Sequence, residues 1–285
     1  MTVQNAVDGG LVQRAYLTPP EILAAARGDQ TVVIAGHDVR LESAVKHHSL
    51  GVVKVIQTQD GQPAELARLA VTEYLREGGV LAKGSVTTAQ LVRALLDVPH
   101  DANDRLVHVA WVYDVAHRRA FVLADAGINL EPDGAVQLDI AIRALELASA
   151  LGMEGGIAVL GHSDSVDSRV QSSVRAGEWV ATLRRDARFA GTPVSGPISL
   201  DLALSGKARR VKHAGLMPVF DVLLAPDIVV GNVLFKAFML APQYVVTGVL
   251  LSRDMAVAVP SRANSTLEKA LAVALTQLVR RPRPK

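Results

Sequence analysis

The chain has 285 residues, of which 49% are hydrophobic and 4% aromatic, with no cysteine and a formal net charge of +2. This fits a globular protein with a large core and excludes disulfides and thiolate metal sites, which favours the cytoplasm. Four of the positive charges, Arg280, Arg281, Arg283 and Lys285, lie in a Pro-broken tail that reads as a solvated end, so a slightly acidic body poor in aromatics argues against nucleic-acid binding.

The first ten residues are polar and acidic, unlike a secretory leader. Apolar β-branched runs then alternate with helical periodicity. A strand is predicted over 31–35, a helix over 41–50, a strand over 52–57 and a helix over 63–77 that Gly78-Gly79 stops. A short strand at 80–81, a helix over 88–96, strands at 107–113 and 120–123 and a long helix over 136–151 follow. Beyond these come a strand at 157–160, a polar helix near 172–187, a strand at 219–224, a helix over 231–240, strands at 245–250 and 256–259, and a closing helix over 265–279. This is βαβ grammar and implies an α/β fold. The apolar stretch 216–251 is interrupted by Asp221, Asp227, Asn232 and Lys236, so it reads as buried parallel sheet and not as a membrane span.

Two segments place charged and hydroxylated residues directly after strand-like runs, where an open α/β sheet has its ligand crevice. The first is Pro226-Asp227-Ile228-Val229-Val230-Gly231-Asn232-Val233-Leu234-Phe235-Lys236 and the second is Pro260-Ser261-Arg262-Ala263-Asn264-Ser265-Thr266-Leu267-Glu268. In the second, a hydroxyl and a guanidinium precede the positive end of a helix, an arrangement suited to a phosphate or an oxyanion. Ser265 and Glu268 also have the spacing of a capping box. In the first, Gly231-Asn232 is expected to form a tight turn before a helix. Asp227, Asn232 and Lys236 there either hold a ligand or are a turn aspartate, a cap and a snorkelling lysine. No glycine-rich dinucleotide or P-loop signature is present, Gly161-His162-Ser163-Asp164-Ser165 lacks the second glycine of a nucleophile elbow, and the scattered histidines do not predict a metal site.

The two segments resemble signatures of the phosphate acetyl/butyryltransferase family, approximately Pro-Asp-x-x-x-Gly-Asn-x-x-x-Lys and Ser-Arg-x-x-Ser-x-x-Glu/Asp. Gly196-Pro197-Ile198-Ser199-Leu200-Asp201, Ala82-Lys83-Gly84 with Leu91-Val92-Arg93, and Ala124-Asp125 to Pro132 are similar to further family elements. The resemblance implies two three-layer α/β domains with a cleft between them, as in the isocitrate/isopropylmalate dehydrogenases, one formed by 1–130 plus 248–285 and the other by 131–247. It implies transfer of a short acyl group such as butyryl or acetyl between coenzyme A and inorganic phosphate, with coenzyme A as substrate, no cofactor, and a homodimer or larger assembly. It marks Ser261, Arg262 and Glu268 as catalytic, with Glu268 as base for the thiol, and Arg93, Lys83, Asp227, Asn232, Lys236 and Asn264 as substrate-binding. Asn264 stands where butyryltransferase-like members carry aspartate, and Leu251-Ser252-Arg253-Asp254 replaces a glycine-rich turn. These departures leave open a non-catalytic binder of coenzyme A or acyl phosphate with the same fold.

Overall fold

The alternating apolar runs form strands because each is bounded by a turn or helix cap, and almost every one is buried on both faces, as parallel strands require. In the computed structural model, residues 16–58, 61–98, 104–212 and 218–279 are described, with the backbone of two short paired strands, β1 (Val7–Asp8) and β2 (Leu11–Val12). The basic tail from Arg280 lies outside the described residues. The first part of the chain contains α1 (Pro19–Ala25), β3 (Thr31–Ala35), α2 (Val39–His47), β4 (Val52–Ile56), α3 (Pro63–Glu77), β5 (Val80–Lys83) and α4 (Thr88–Leu96). Then come β6 (Val107–Asp114), β7 (Arg119–Ala124), α5 (Gly134–Ala150), β8 (Gly156–Leu160), α6 (Gln171–Arg185) and β9 (Val194–Ile198). The chain continues through α7 (Leu200–Leu204), α8 (Gly206–Lys212), β10 (Phe220–Leu224), α9 (Ile228–Leu240), β11 (Tyr244–Leu251), β12 (Ala256–Ala258) and α10 (Thr266–Leu278).

Ten strands make one sheet in the order β4-β3-β5-β12-β11-β6-β7-β10-β8-β9. The pairings β4-β3-β5-β12 and β7-β10-β8-β9 are parallel, whereas β12-β11, β11-β6 and β6-β7 are antiparallel. The two parallel halves therefore run in opposite directions and their carboxyl ends meet over β11. One face of the sheet carries a continuous core built with α2, α5, α6 and α10. The other face carries two separate cores, one with α3 and α4 and one with α7 and α9. The mixed α/β class is thus the expected one.

Several boundaries differ from the expectation for local reasons. The strand expected at 80–81 continues to Lys83, which is 5% exposed. The helix expected from 231 begins at Ile228, so Gly231 and Asn232 are inside α9 and form no turn. A Cβ on Gly231 would stand 2.0 Å from the Asp125 carbonyl oxygen, so this glycine permits a close helix contact instead. Helices α7 and α8 and strand β9 carry no clear sequence signal, whereas the unpredicted α1 does carry one, the Thr18–Glu21 capping box with Pro19 at the first position of the helix. No helix among the described residues is long and apolar enough to cross a membrane.

Candidate functional site

The loops after β3, β5 and β12 lie side by side, because these three strands are adjacent and parallel. Each leads into a helix capped by a side chain: Asp38 accepts from Leu41 N, Thr87 from Gln90 N, and Ser265 from Glu268 N. The loops touch closely. A Cβ on Gly84 would stand 2.1 Å from the Gly36 carbonyl oxygen, so no other residue fits there without displacement. Arg262 bridges two of the loops by donating from Nη2 to the Ser85 carbonyl at 2.8 Å, with the rest of its exposed guanidinium open to solvent.

The Ser261 loop is braced from within. Strand β11 outruns β12: the last paired residue of β12 is Ala258, opposite Val249. The main-chain groups of Val246 are consequently left without a strand partner on that side. Side chains supply the missing bonds, Glu268 Oε1 accepting from Val246 N at 3.0 Å and Asn264 Nδ2 donating to Val246 O at 3.0 Å. Asn264 Oδ1 also accepts from Ser261 N at 2.7 Å, which fixes the loop relative to the sheet. An aspartate could accept from Ser261 but could not donate to Val246, so asparagine suits this backbone. Asn264 is 2% exposed and its bonds are internal. Glu268 Oε2 accepts from both N and Oγ of Ser265, completing the capping box read from the sequence.

Beneath this loop lies a buried ion pair that sequence reasoning missed. Lys269, 1% exposed, donates from Nζ to Asp38 Oδ2 at 2.7 Å and to the Ser261 carbonyl at 3.3 Å. Burial pushes the Asp38 carboxyl up, but the Lys269 bond, the Leu41 N–H and nearby charges outweigh it and hold the carboxyl below its ordinary range. The signal in the sequence was a lysine inside a helix whose residues from Lys269 to Gln277 are all buried.

Lys83 ends β5 on the face of Leu81, opposite Val80 and Ala82. Burial, reinforced by the charges of Lys269, Arg262 and Lys236, pulls its ammonium down to about 8. Four cations thus share one neighbourhood with Asp38 as their acidic counterpart, an arrangement that attracts anions. Lys236, exposed on α9, lies with its ammonium 5.3 Å from the Phe235 ring centroid. Asp227 caps α9 by accepting from Val230 N, and Asn232 Nδ2 donates to the Ala126 carbonyl at 3.2 Å. The Asn232 bond joins α9 to the loop after β7. There Asp125 accepts from the N–H groups of Gly127, Ile128 and His108 and from Asn129 Nδ2. Arg93 is exposed on α4, where its carbonyl accepts from Asp97 N at the end of the helix. The altered turn at Ser252 sits at the opposite end of β12 from Ser261, where Ser252 Oγ accepts from Asp254 and Met255 N.

An α/β sheet with cations and capped helix N-termini gathered over its strand ends describes an enzyme that acts on an anionic substrate. A family model described as "Phosphate acetyl/butaryl transferase" matches residues 37–277. The chain belongs to that family, and its activity is transfer of an acyl group between coenzyme A and phosphate. It is 28% identical to a probable phosphate butyryltransferase of Bacillus subtilis, over 82% of this chain and 79% of the relative. It is 26% identical to a phosphate acetyltransferase of Rhizobium meliloti, over 90% of this chain and 83% of the relative. A crystal structure of a branched-chain phosphotransacylase from Enterococcus faecalis superposes with a TM-score of 0.70 at 27% identity, covering 88% of this chain and 99% of that one.

Proposed function

We propose that the protein interconverts a short-chain acyl phosphate plus coenzyme A with acyl-coenzyme A plus inorganic phosphate, at the loops after β5 and β12 and across to α9. The observation that supports this most directly is the Ser261-Arg262 pair, held on a braced loop beside buried Lys83 and with most guanidinium donors unengaged among the described residues. In this reading Arg262 and Ser261 stabilise the oxygen that gains charge as the thiolate attacks, and Lys83 holds the phosphoryl group. Arg93, Asp227, Asn232 and Lys236 position the remainder of the substrates. Asn264 and Glu268 act through the loop geometry, since their polar atoms are taken up by Val246, Ser261 and Ser265. The cleft they border lies between a lobe of 1–130 plus 248–285 and one of 131–247.

The relatives bear both acetyl and butyryl names, so the acyl preference is read by experiment. Thioester formation from coenzyme A is measured with acetyl phosphate and with butyryl phosphate. Turnover with butyryl phosphate the faster is expected; saturable coenzyme A binding with turnover of neither would turn the reading into that of a binder.

Lys83 gives this reading a pH signature. Its charge is lost as pH rises through about 8, so KM for phosphate is expected to climb between about pH 7 and 9. A KM flat across that range, with Lys83→Met indistinguishable from wild type, would remove Lys83 from phosphate binding.

We also take the protein to be a cytoplasmic homodimer. Support for the second copy comes from the resemblance to the phosphate acetyl/butyryltransferase family. Sedimentation equilibrium is expected to give twice the chain mass, and a monomer at micromolar concentration would refute it.

A further inference from the structure

Acyl transfer to coenzyme A needs a group that accepts the thiol proton, because the thiolate is the nucleophile. Glu268 is poorly placed to take it, with Oε1 bonded to Val246 N and Oε2 to Ser265 N and Oγ. His108 has the opposite circumstances. It is the second residue of β6, and Val107, Val109 and Trp111 all face the core shared with α5 and α10. Alternation therefore turns His108 to the other face, with Ala110 and Val112.

That face is where the two smaller cores meet. On neighbouring β11, Val246 belongs to one of them and Leu250 to the other, which leaves Gly248 at the seam between them. The His108 ring lies over that glycine, with Nε2 2.3 Å from where a Cβ on Gly248 would stand. A side chain at Gly248 would expel the imidazole. The ring packs edge-on against Phe235 with centroids 5.1 Å apart, so it sits beside the residue that precedes Lys236.

His108 is 7% exposed, and its Nε2 is buried with no hydrogen-bond partner among the described residues. The ring does bond the Ala126 backbone, and with Nε2 unpartnered that bond falls to Nδ1, the nitrogen on the Gly127 side. An Nδ1–H donating to a carbonyl fixes the tautomer and leaves the lone pair on Nε2. The frame is rigid as well, since Asp125 accepts from the His108 N–H and from the two N–H groups of the flanking loop. A buried acceptor with an unmade bond costs stability that an apolar side chain at this position would not, so the site fits a reaction better than it fits packing.

Resting on the acyl-transfer reading, we infer that His108 Nε2 is the general base for the coenzyme A thiol. In the forward step the S–H bond breaks and its proton moves to Nε2. The sulfur forms a bond to the acyl carbon, and the carbon–oxygen bond to phosphate breaks with its electron pair on the phosphate oxygen. The imidazolium then returns its proton to the departing phosphate, so that acyl-coenzyme A and hydrogen phosphate leave a neutral His108.

The charges around the ring give the assignment a distinctive pH signature. Lys236 faces it from α9, Lys83 from β5 and Asp125 from the end of β7, while β11 offers uncharged Gly248 and Leu250. Burial first, then Lys236 and Lys83, hold the free imidazole down at about 4. Substrate anions seated on these lysines offset their repulsion, which raises the basicity of the ring in the loaded enzyme. The acid limb of kcat is therefore expected at higher pH than that of kcat/KM, which reports the free enzyme.

The test is thioester formation by wild type, His108→Gln and His108→Asn across pH, with coenzyme A binding measured by calorimetry. We expect kcat to fall about 100-fold in both variants, coenzyme A binding to stay within about threefold of wild type, and the acid limb to disappear. Turnover within about threefold of wild type, or a lowered kcat that keeps the wild-type acid limb, would overturn the base assignment. If the variants do not fold, the wild-type profile decides, because coincident acid limbs of kcat and kcat/KM contradict it. A wild type that binds coenzyme A yet forms no thioester refutes the transferase reading itself, and is told apart by needing no variant.

Discussion

Replacing Arg262 by alanine is expected to lower kcat for thioester formation about 100- to 1,000-fold, the range typical of losing one preorganised donor to a developing oxyanion. Stability should stay within about 0.5 kcal/mol of wild type, because the side chain is exposed and, among the described residues, bonds only the Ser85 carbonyl. The two expectations together separate a chemical role from a structural one. Arg262→Lys sharpens the test: it keeps the charge but not the planar fork that grips two oxygens at once. Partial recovery of kcat in the lysine variant would identify charge as one component and bidentate geometry as the other. Near-normal turnover in Arg262→Ala, measured with a folded protein, would take Arg262 out of the mechanism and leave the loop as an anion cradle made of backbone, Ser261 and Lys83.

The sequence revealed parts of this architecture unevenly, and the reasons are physical. Helices α3 and α4 were readable to the residue, because each carries a clear apolar face and a start signal, Pro63 in one and the Thr87–Gln90 capping box in the other. The α10 cap was equally plain at Ser265 and Glu268. Helices α7 and α8, of 5 and 7 residues, are too short to show periodicity. Strand β9 contains Gly196-Pro197, which punctuate a sequence as a turn does, yet β9 is at the sheet edge where proline is tolerated. In the site, Ser261 and Arg262 were visible because they directly follow a strand-like run, whereas Lys83, which ends β5, and Lys236, inside α9, were visible only through the resemblance of their segments to family elements. Glu268 and Asn264 were visible too, but their partner Val246 was not, since it becomes available only where β12 stops short of β11. His108 was hidden by its apolar neighbours in β6, where a lone histidine reads as a core residue. Asp38 and Lys269 are 231 residues apart in the chain, and only the adjacency of α2 and α10 brings them together.

That ion pair carries the second large expectation. Replacing Lys269 with methionine keeps the length and apolar stem of the side chain but leaves Asp38 Oδ2 and the Ser261 carbonyl without their shared donor. Removing one partner of a buried pair strands the other charge, and the expected cost is about 3 to 5 kcal/mol in urea unfolding. Asp38→Asn should cost less, since asparagine still caps α2 at Leu41 N while shedding the charge. The double variant is then expected to be more stable than Lys269→Met alone, because no uncompensated charge remains. Acid adds an independent check. The Asp38 carboxyl is held below its ordinary range, so the pair contributes stability that is present above the unfolded carboxyl's pKa and lost as pH falls through the lower folded value. Lys269→Met should flatten that acid slope. Turnover should fall with stability restored by the second change, because the Ser261 carbonyl is still unanchored and the loop that aims Ser261 and Arg262 has lost its buried support. If Lys269→Met unfolds no more readily than wild type and the double variant shows no coupling, the pair is not a brace, and the rigidity of the Ser261 loop rests on Asn264 and Glu268 alone.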